Sequence, residues 1–313
     1  MRFVMLIKSD AKAEAGVLPD QKLLTEMGKL NEEMVEAGVM LAGEGLQPSS
    51  KGARVRLAGK KFTVIDGPFA EAKELIAGFW LIQAKSLEDA IGWAKRVPDP
   101  SADPGLGARE EGEIEIRPLY EMSDFPVDPA EKPGGWREQE QRFRDATEPP
   151  GAAPAPPPRK RGTTRFMVML KADDKTEASA PPSEKVLAAM GALMQEMVEA
   201  GALLSGEGLK ATSQGARVRI PAGKRTATKV IDGPFTESKE IIAGYSIIQV
   251  PSRQEAIDFA KRWLQIHVEG LEKEAGEIEI RQIFELSDFP VDPAEKPDGW
   301  RHQEERLRER LGQ

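Results

Sequence analysis

The sequence predicts an α+β protein in which one domain is written twice. Three observations carry this: long segments return almost letter for letter, each copy alternates short strand patterns with two helical ones, and a Pro/Ala-rich stretch separates the copies. RFVMLIK (Arg2–Lys8) returns as RFMVMLK (Arg165–Lys171). Met27–Leu46 returns at Met190–Leu209, Ile65–Phe79 at Ile231–Tyr245, and Gly112–Trp136 at Gly276–Trp300. A chain of 313 residues has room for about two domains, and the repeat places them at 1–146 and 163–313. Residues 147–162 join them as a semi-extended linker without a core. The spacing between matched segments changes twice, which predicts surface loops of different length after Arg219 and near Pro98–Glu111.

Within one copy, Phe3–Ile7 is a short apolar run, a buried strand. Leu23, Met27, Leu30, Met34 and Ala37 recur at helical spacing, so Pro19–Ala37 reads as a helix with Gly38 as its stop. The second copy keeps this stripe as Val186, Met190, Leu193, Met197 and Ala200. Methionines at that spacing are core packing. Val39–Leu41 is a second strand. Arg54–Leu57 and Phe62–Ile65 form a hairpin, which Asp66-Gly67-Pro68-Phe69 breaks. Gly78–Gln83 is a further strand, matched by Gly244–Gln249. Ser86-x-x-Asp89 and Ser252-x-x-Glu255 open a second helix, the latter as a full capping box. Ile114-Glu115-Ile116-Arg117 closes the domain as an alternating strand. The order β-α-β-β-β-α-β fits two helices on one face of a largely antiparallel sheet. The bare sheet face then needs a cover, supplied by the other copy or by a second chain. After each core, SDFPVDPAEKPxGW predicts an extended arm anchored by Trp136 or Trp300, followed by a short exposed charged helix.

Composition excludes several classes. Cysteine is absent, which removes disulfides, thiolate catalysis and zinc–thiolate sites. A net charge of −8 argues against a nucleic-acid partner. No apolar run is long enough for a membrane span, and MRFVMLIKSD is too short to be a signal peptide, so the expected location is cytoplasmic. No metal-ligand spacing, dinucleotide fingerprint, P-loop or nucleophile elbow occurs, so neither cofactor nor metal is expected. Neither His267 nor His302 has a counterpart in the first copy, and both read as solvated.

The string GxxxGEGL…ARVR…DGPF-x-E-x-KE…G[FY]…EAIxxAKR, present in both copies, resembles the YCII-related family in its DGPF-type branch. The resemblance covers about Arg2–Met122 and Arg165–Leu286. It implies a ferredoxin-like α+β fold that pairs into a dimeric, here pseudo-dimeric, α/β barrel, with a cleft for small molecules. It also implies a setting beside sigma factors of the extracytoplasmic-function type. Better-known relatives carry a histidine on the first helix that pairs with an aspartate; the matching positions here are Met27 and Met190, so that dyad is not carried over.

Asp66 and Asp232 are then the candidates for acid–base work, each at a strand end beside a Gly-Pro turn. The same aspartates also suit an ordinary turn role. Glu71, Lys73, Glu237 and Lys239 would face them across a short loop. Arg54 with Arg56, and Arg217 with Arg219, project to one face of a strand. That face is either a cationic floor for an anionic ligand or a solubilising edge. Glu44 and Glu207, between glycines, would bind one of these arginines or the ligand. The expectation is a small polar or anionic molecule in an inter-domain cleft, with cofactor-free lyase- or isomerase-like chemistry or none. The alternative is a non-catalytic regulatory or interaction protein linked to sigma-factor signalling.

Overall fold

A computed structural model describes residues 1–70, 74–98, 111–125, 138, 141, 160–178, 183–221, 225–235, 240–289 and 299–311. In the first repeat these form β1 (Arg2–Lys8), α1 (Ala11–Glu14), α2 (Gln21–Glu36), β2 (Met40–Gly45), β3 (Ala53–Ala58), β4 (Lys61–Asp66), β5 (Ile76–Gln83), α3 (Leu87–Ala94) and β6 (Glu111–Pro118). The second gives β7 (Thr164–Lys171), α4 (Asp174–Glu177), α5 (Glu184–Glu199), β8 (Leu203–Gly208), β9 (Ala216–Pro221), β10 (Lys229–Asp232), β11 (Ile242–Val250), α6 (Arg253–Gly270) and β12 (Ala275–Gln282). The helix α7 (Trp300–Leu311) follows.

The expected elements form for the expected local reasons. Asp20 caps α2 by accepting from the Leu23 N–H at 2.7 Å, and Gly38 ends it at φ +65°, where a side chain would be strained. Ser86 and Ser252 accept from the Asp89 and Glu255 N–H groups. The Asp89 carboxylate, however, turns back to the Lys85 N–H at 3.0 Å. Single-turn helices after β1 and β7 were not expected; Asp10 and Asp173 cap them.

The twelve strands make two six-stranded antiparallel sheets, in the orders β10-β9-β6-β1-β5-β2 and β4-β3-β12-β7-β11-β8. Neither sheet belongs to one repeat. The hairpin β3–β4 leaves the first repeat and pairs with β12, placing Arg54 opposite Glu279. The hairpin β9–β10 returns the exchange on β6, placing Arg217 opposite Glu115. Each outer core is therefore shared. Phe3, Met5, Leu30, Met34, Ile82 and Ala90 pack with Val218 and Ile220 of the other repeat, and Phe166, Val168, Leu193 and Ile257 pack with Val55 and Leu57.

Between the sheets, Val4, Leu6, Phe79 and Leu81 meet Met167, Met169, Tyr245 and Ile247. The Phe79 and Tyr245 rings lie 5.5 Å apart. The bare faces are thus covered within the chain. Backbone bonds also join the sheets where β2 and β12 run out, from Gln47 N to Gln282 O at 2.8 Å and from Phe284 N to Gly45 O at 2.9 Å.

Three expectations are corrected. The length difference before β12 is not a loop in the second repeat: α6 continues through Trp263, Leu264 and Val268, which are buried. His267 therefore sits on a packed helix face, 8% exposed, instead of in solvent. The charged C-terminal segment is a helix as expected, but α7 buries Trp300, Gln303, Leu307 and Leu311, with Leu307 and Leu311 in the first repeat's outer core. Its leucines recur every four residues, which gives it a docking stripe despite its charge. Trp300 packs edge-on against Phe289, with ring centroids 5.0 Å apart. Trp136 lies outside the described residues.

Candidate functional site

Two buried charge clusters lie at the seam where the hairpins cross. In one, Glu115 receives Lys8 at 3.3 Å, Arg117 at 3.2 Å and Arg217 at 2.9 Å. In its counterpart, Glu279 receives Lys171 at 3.1 Å, Arg281 at 3.3 Å and Arg54 at 2.9 Å. Glu240 reaches Arg54 at 2.7 Å and also pairs with Lys171. Burial would push the Glu115 and Glu279 carboxyls up, but three cations around each outweigh it and hold both down at about 2. Arg117 and Arg281 are fully buried and donate to the Lys210 and Gln47 carbonyls. Glu14 on α1 completes the second cluster at 3.0 Å from Arg281, which gives that short helix its purpose.

The DGPF segments brace these clusters. A Cβ on Gly67 would stand 1.9 Å from the Ser49 carbonyl oxygen, so only glycine fits there. Two residues on, the Phe69 N–H donates to Ser49 Oγ at 3.0 Å and the Phe69 ring lies under the Arg54 guanidinium, 4.2 Å from its centroid. Gly233, Phe235, Thr212 and Arg217 repeat the arrangement.

The sequence-derived residues distribute accordingly. Arg54 and Arg217 are held in the seam clusters. Arg219 pairs with Glu113 at 2.6 Å further out, and Arg56 is exposed. Asp66 is 67% exposed and accepts from Arg253 of α6 at 2.7 Å. Asp232 is exposed at the matching end of β10. Glu44 and Glu207 do bind arginines, but these are Arg165 and Arg2 rather than the hairpin ones. Glu71, Lys73, Glu237 and Lys239 lie outside the described residues. Lys8, Lys171, Glu115, Glu279, Arg117, Arg281 and Glu240 were missed. Their signal was Glu113-x-Glu115-x-Arg117, a charged face at strand period, which alternation alone assigns to water.

A cavity of about 270 Å³ lies against the first repeat's α2, and none of the cluster residues lines it. Its walls are α2 (Leu23, Leu24, Met27, Gly28, Asn31), the Gly16–Pro19 turn, β2 and β5 (Gly43, Glu44, Phe79, Trp80), and Pro98. The second repeat's arm adds Phe284, Leu286, Phe289, Trp300, Glu304 and Arg308 to its wall. The lining is mostly apolar. At its polar end Arg308 meets Glu304 at 2.7 Å and Glu44 at 3.4 Å, and Glu44 is also paired with Arg165. Asn31 Oδ1 accepts from Trp80 Nε1 at 2.9 Å. The second repeat fills the corresponding α5 end differently: α6 runs on to Gly270, where a Cβ would stand 2.4 Å from Val186 Cγ2. Its first-repeat counterpart, α3, ends at Ala94, and Leu23, the counterpart of Val186, faces the cavity. Among the described residues no group of three or more His, Asp and Glu is arranged to hold a metal, and no helix is long and apolar enough to cross a membrane.

Residues 1–122 and again 164–287 match the model of the YCII-related domain. The chain belongs to the YCII-related family. Both YCII-related domains carry the strands whose hairpins are exchanged, so the tandem arrangement and the interlocked sheets describe the same duplication. The uncharacterized protein R00369 of Rhizobium meliloti (strain 1021) is 32% identical over 109 residues, covering 34% of this chain and 82% of the relative. That length is close to one YCII-related domain. Met27, which stands where the histidine of the implied dyad would be, lines the cavity.

Proposed function

We propose that the protein binds a small, largely apolar molecule in the cavity between the first repeat's α2 layer and the second repeat's arm. The observation that carries this reading is the cavity itself: about 270 Å³ of space with an apolar wall and one polar end. An apolar cavity of about 150 Å³ accepts a benzene ring, so this one suits a body of roughly one to two rings. A lining drawn from both repeats supports an inter-repeat site, and the facing, bridged sheets support the closed pseudo-dimeric α/β barrel implied by the family. Asp66 and Asp232 lie outside the lining, so the reading is binding without proton transfer through them.

The test is a calorimetric or ligand-observed NMR screen of small aromatic and alicyclic compounds against the full chain and a Met27→Trp variant. Met27→Trp fills the cavity from α2. Compounds that bind the parent and lose affinity at least tenfold in the variant, at similar melting temperature, support the reading. Hits that bind both chains equally overturn it.

A further inference from the structure

We infer that the occupant of this cavity is neutral and presents a hydrogen-bond acceptor, such as a ketone, ester or amide carbonyl, to Arg308. The inference rests on the binding reading and adds the ligand's chemistry. Three facts converge on it.

The first is an open donor. Arg308 donates through Nε to Glu304 and through Nη2 to Glu44, while its Nη1 is buried with no partner among the described residues. A buried donor left unpaired is costly, and this one belongs to a cavity-lining residue. Gln303 Oε1 also lacks a partner, but Gln303 is not part of the lining.

The second is that each side-chain acceptor group of the lining already has a donor. Glu44 accepts from Arg165 through both oxygens, Glu304 accepts from Arg308, and Asn31 Oδ1 accepts from the Trp80 indole, which also fixes the amide so that Nδ2 is its remaining group. The cavity thus offers donors and few acceptors, so an acceptor on the ligand completes it.

The third is charge. Arg165 and Arg308 stand among three carboxylates, Glu44, Glu285 and Glu304. A ligand carboxylate would add a fourth negative charge beside the buried Glu44. A neutral carbonyl satisfies Nη1 without that repulsion. The repeats also diverge here: Trp80 and Asn31 correspond to Ser246 and Met194, so the second copy lacks the fixed amide, and the assignment is to the first repeat alone.

Acetophenone, ethylbenzene and benzoate test this on the full chain, with affinities from ligand-observed NMR. One hydrogen bond predicts acetophenone about threefold to tenfold tighter than ethylbenzene, and benzoate weaker than both. Arg308→Leu should bring the ratio of acetophenone to ethylbenzene affinity down to about one, and Arg308→Gln, which keeps a donor, should restore part of that ratio. Benzoate binding most tightly, or a preference that survives Arg308→Leu, overturns the inference and leaves the cavity reading standing. Ethylbenzene binding as well as acetophenone does the same. Failure of all three probes to bind overturns both.

Discussion

Arg54 and Glu279 lie on different repeats yet sit directly opposite one another on adjacent strands, with Arg54 Nη2 2.9 Å from Glu279 Oε2. The contact is repeated by Arg217 and Glu115 at the same distance. Each repeat therefore sends one guanidinium into a carboxylate that the other has surrounded with cations.

Removing that carboxylate leaves Lys171, Arg281 and Arg54 with only Glu240 and Glu14 to balance them. Glu279→Gln should cost roughly 3–5 kcal/mol in urea unfolding. Arg56→Gln, two residues from Arg54 on the same strand but exposed, should cost under about 1 kcal/mol. Equal losses would show that the cluster contributes no more than surface charge.

Acid should act through the same groups. Glu115 and Glu279 titrate at about 2 in the fold against an ordinary value of 4.5, so the folded state binds fewer protons than the unfolded chain between those values. The stability they confer is complete above about pH 4.5 and is lost as pH falls toward 2. Unfolding free energies measured from pH 5 to 2 should fall steeply, and the Glu115→Gln, Glu279→Gln pair should flatten that slope.

His267 adds a second, higher window. Burial, and then the Lys273 ammonium 2.6 Å from Nε2, lower it to about 4 from an ordinary 6.5, while Asp173 opposes them. The folded state holds the ring neutral, so its contribution is intact above about pH 6.5 and disappears as pH falls toward 4. His267→Phe should remove the slope of stability against pH between 6.5 and 4.5 without altering the region below.

The arm should govern access to the cavity. Deleting Trp300–Gln313 removes Leu307 and Leu311 from the first repeat's core and opens one wall. Hydrogen exchange in α2 should accelerate, with little change in α5, and any ligand found in the cavity should lose at least tenfold in affinity. Leu307→Ala alone should cost roughly 2–4 kcal/mol.

Cutting the chain between the repeats should not separate them. With a protease site placed in the Pro/Ala-rich stretch, the two cleaved pieces should elute together on size exclusion and part only in denaturant, because exchanged hairpins join both sheets.

Much of this fold was legible from local pattern. The Leu23–Met34 stripe, Gly38, and the Ala58–Lys61 turn each act within a few residues, so α2 and the hairpin end where the sequence says. Strand period tells which residues share a face but not which strand lies alongside, so the exchange of hairpins was hidden. Glu115 and Arg117 alternate with isoleucines in the manner of a solvated edge, and only the pairing with β9 shows that they are buried. The cavity was hidden for a similar reason. It depends on α3 stopping short and on α7 folding back from the far end of the chain, and neither leaves a mark on the residues lining α2.

The crossed hairpins also bear on how the two copies can age. A change to Arg54 or Glu115 in one copy disturbs a sheet belonging to both, so the two copies are coupled along the seam. The cavity wall is not part of that seam: Asn31 and Trp80 in the first copy stand where Met194 and Ser246 stand in the second. The paired charges are alike in the two copies, while the wall of the cavity differs between them.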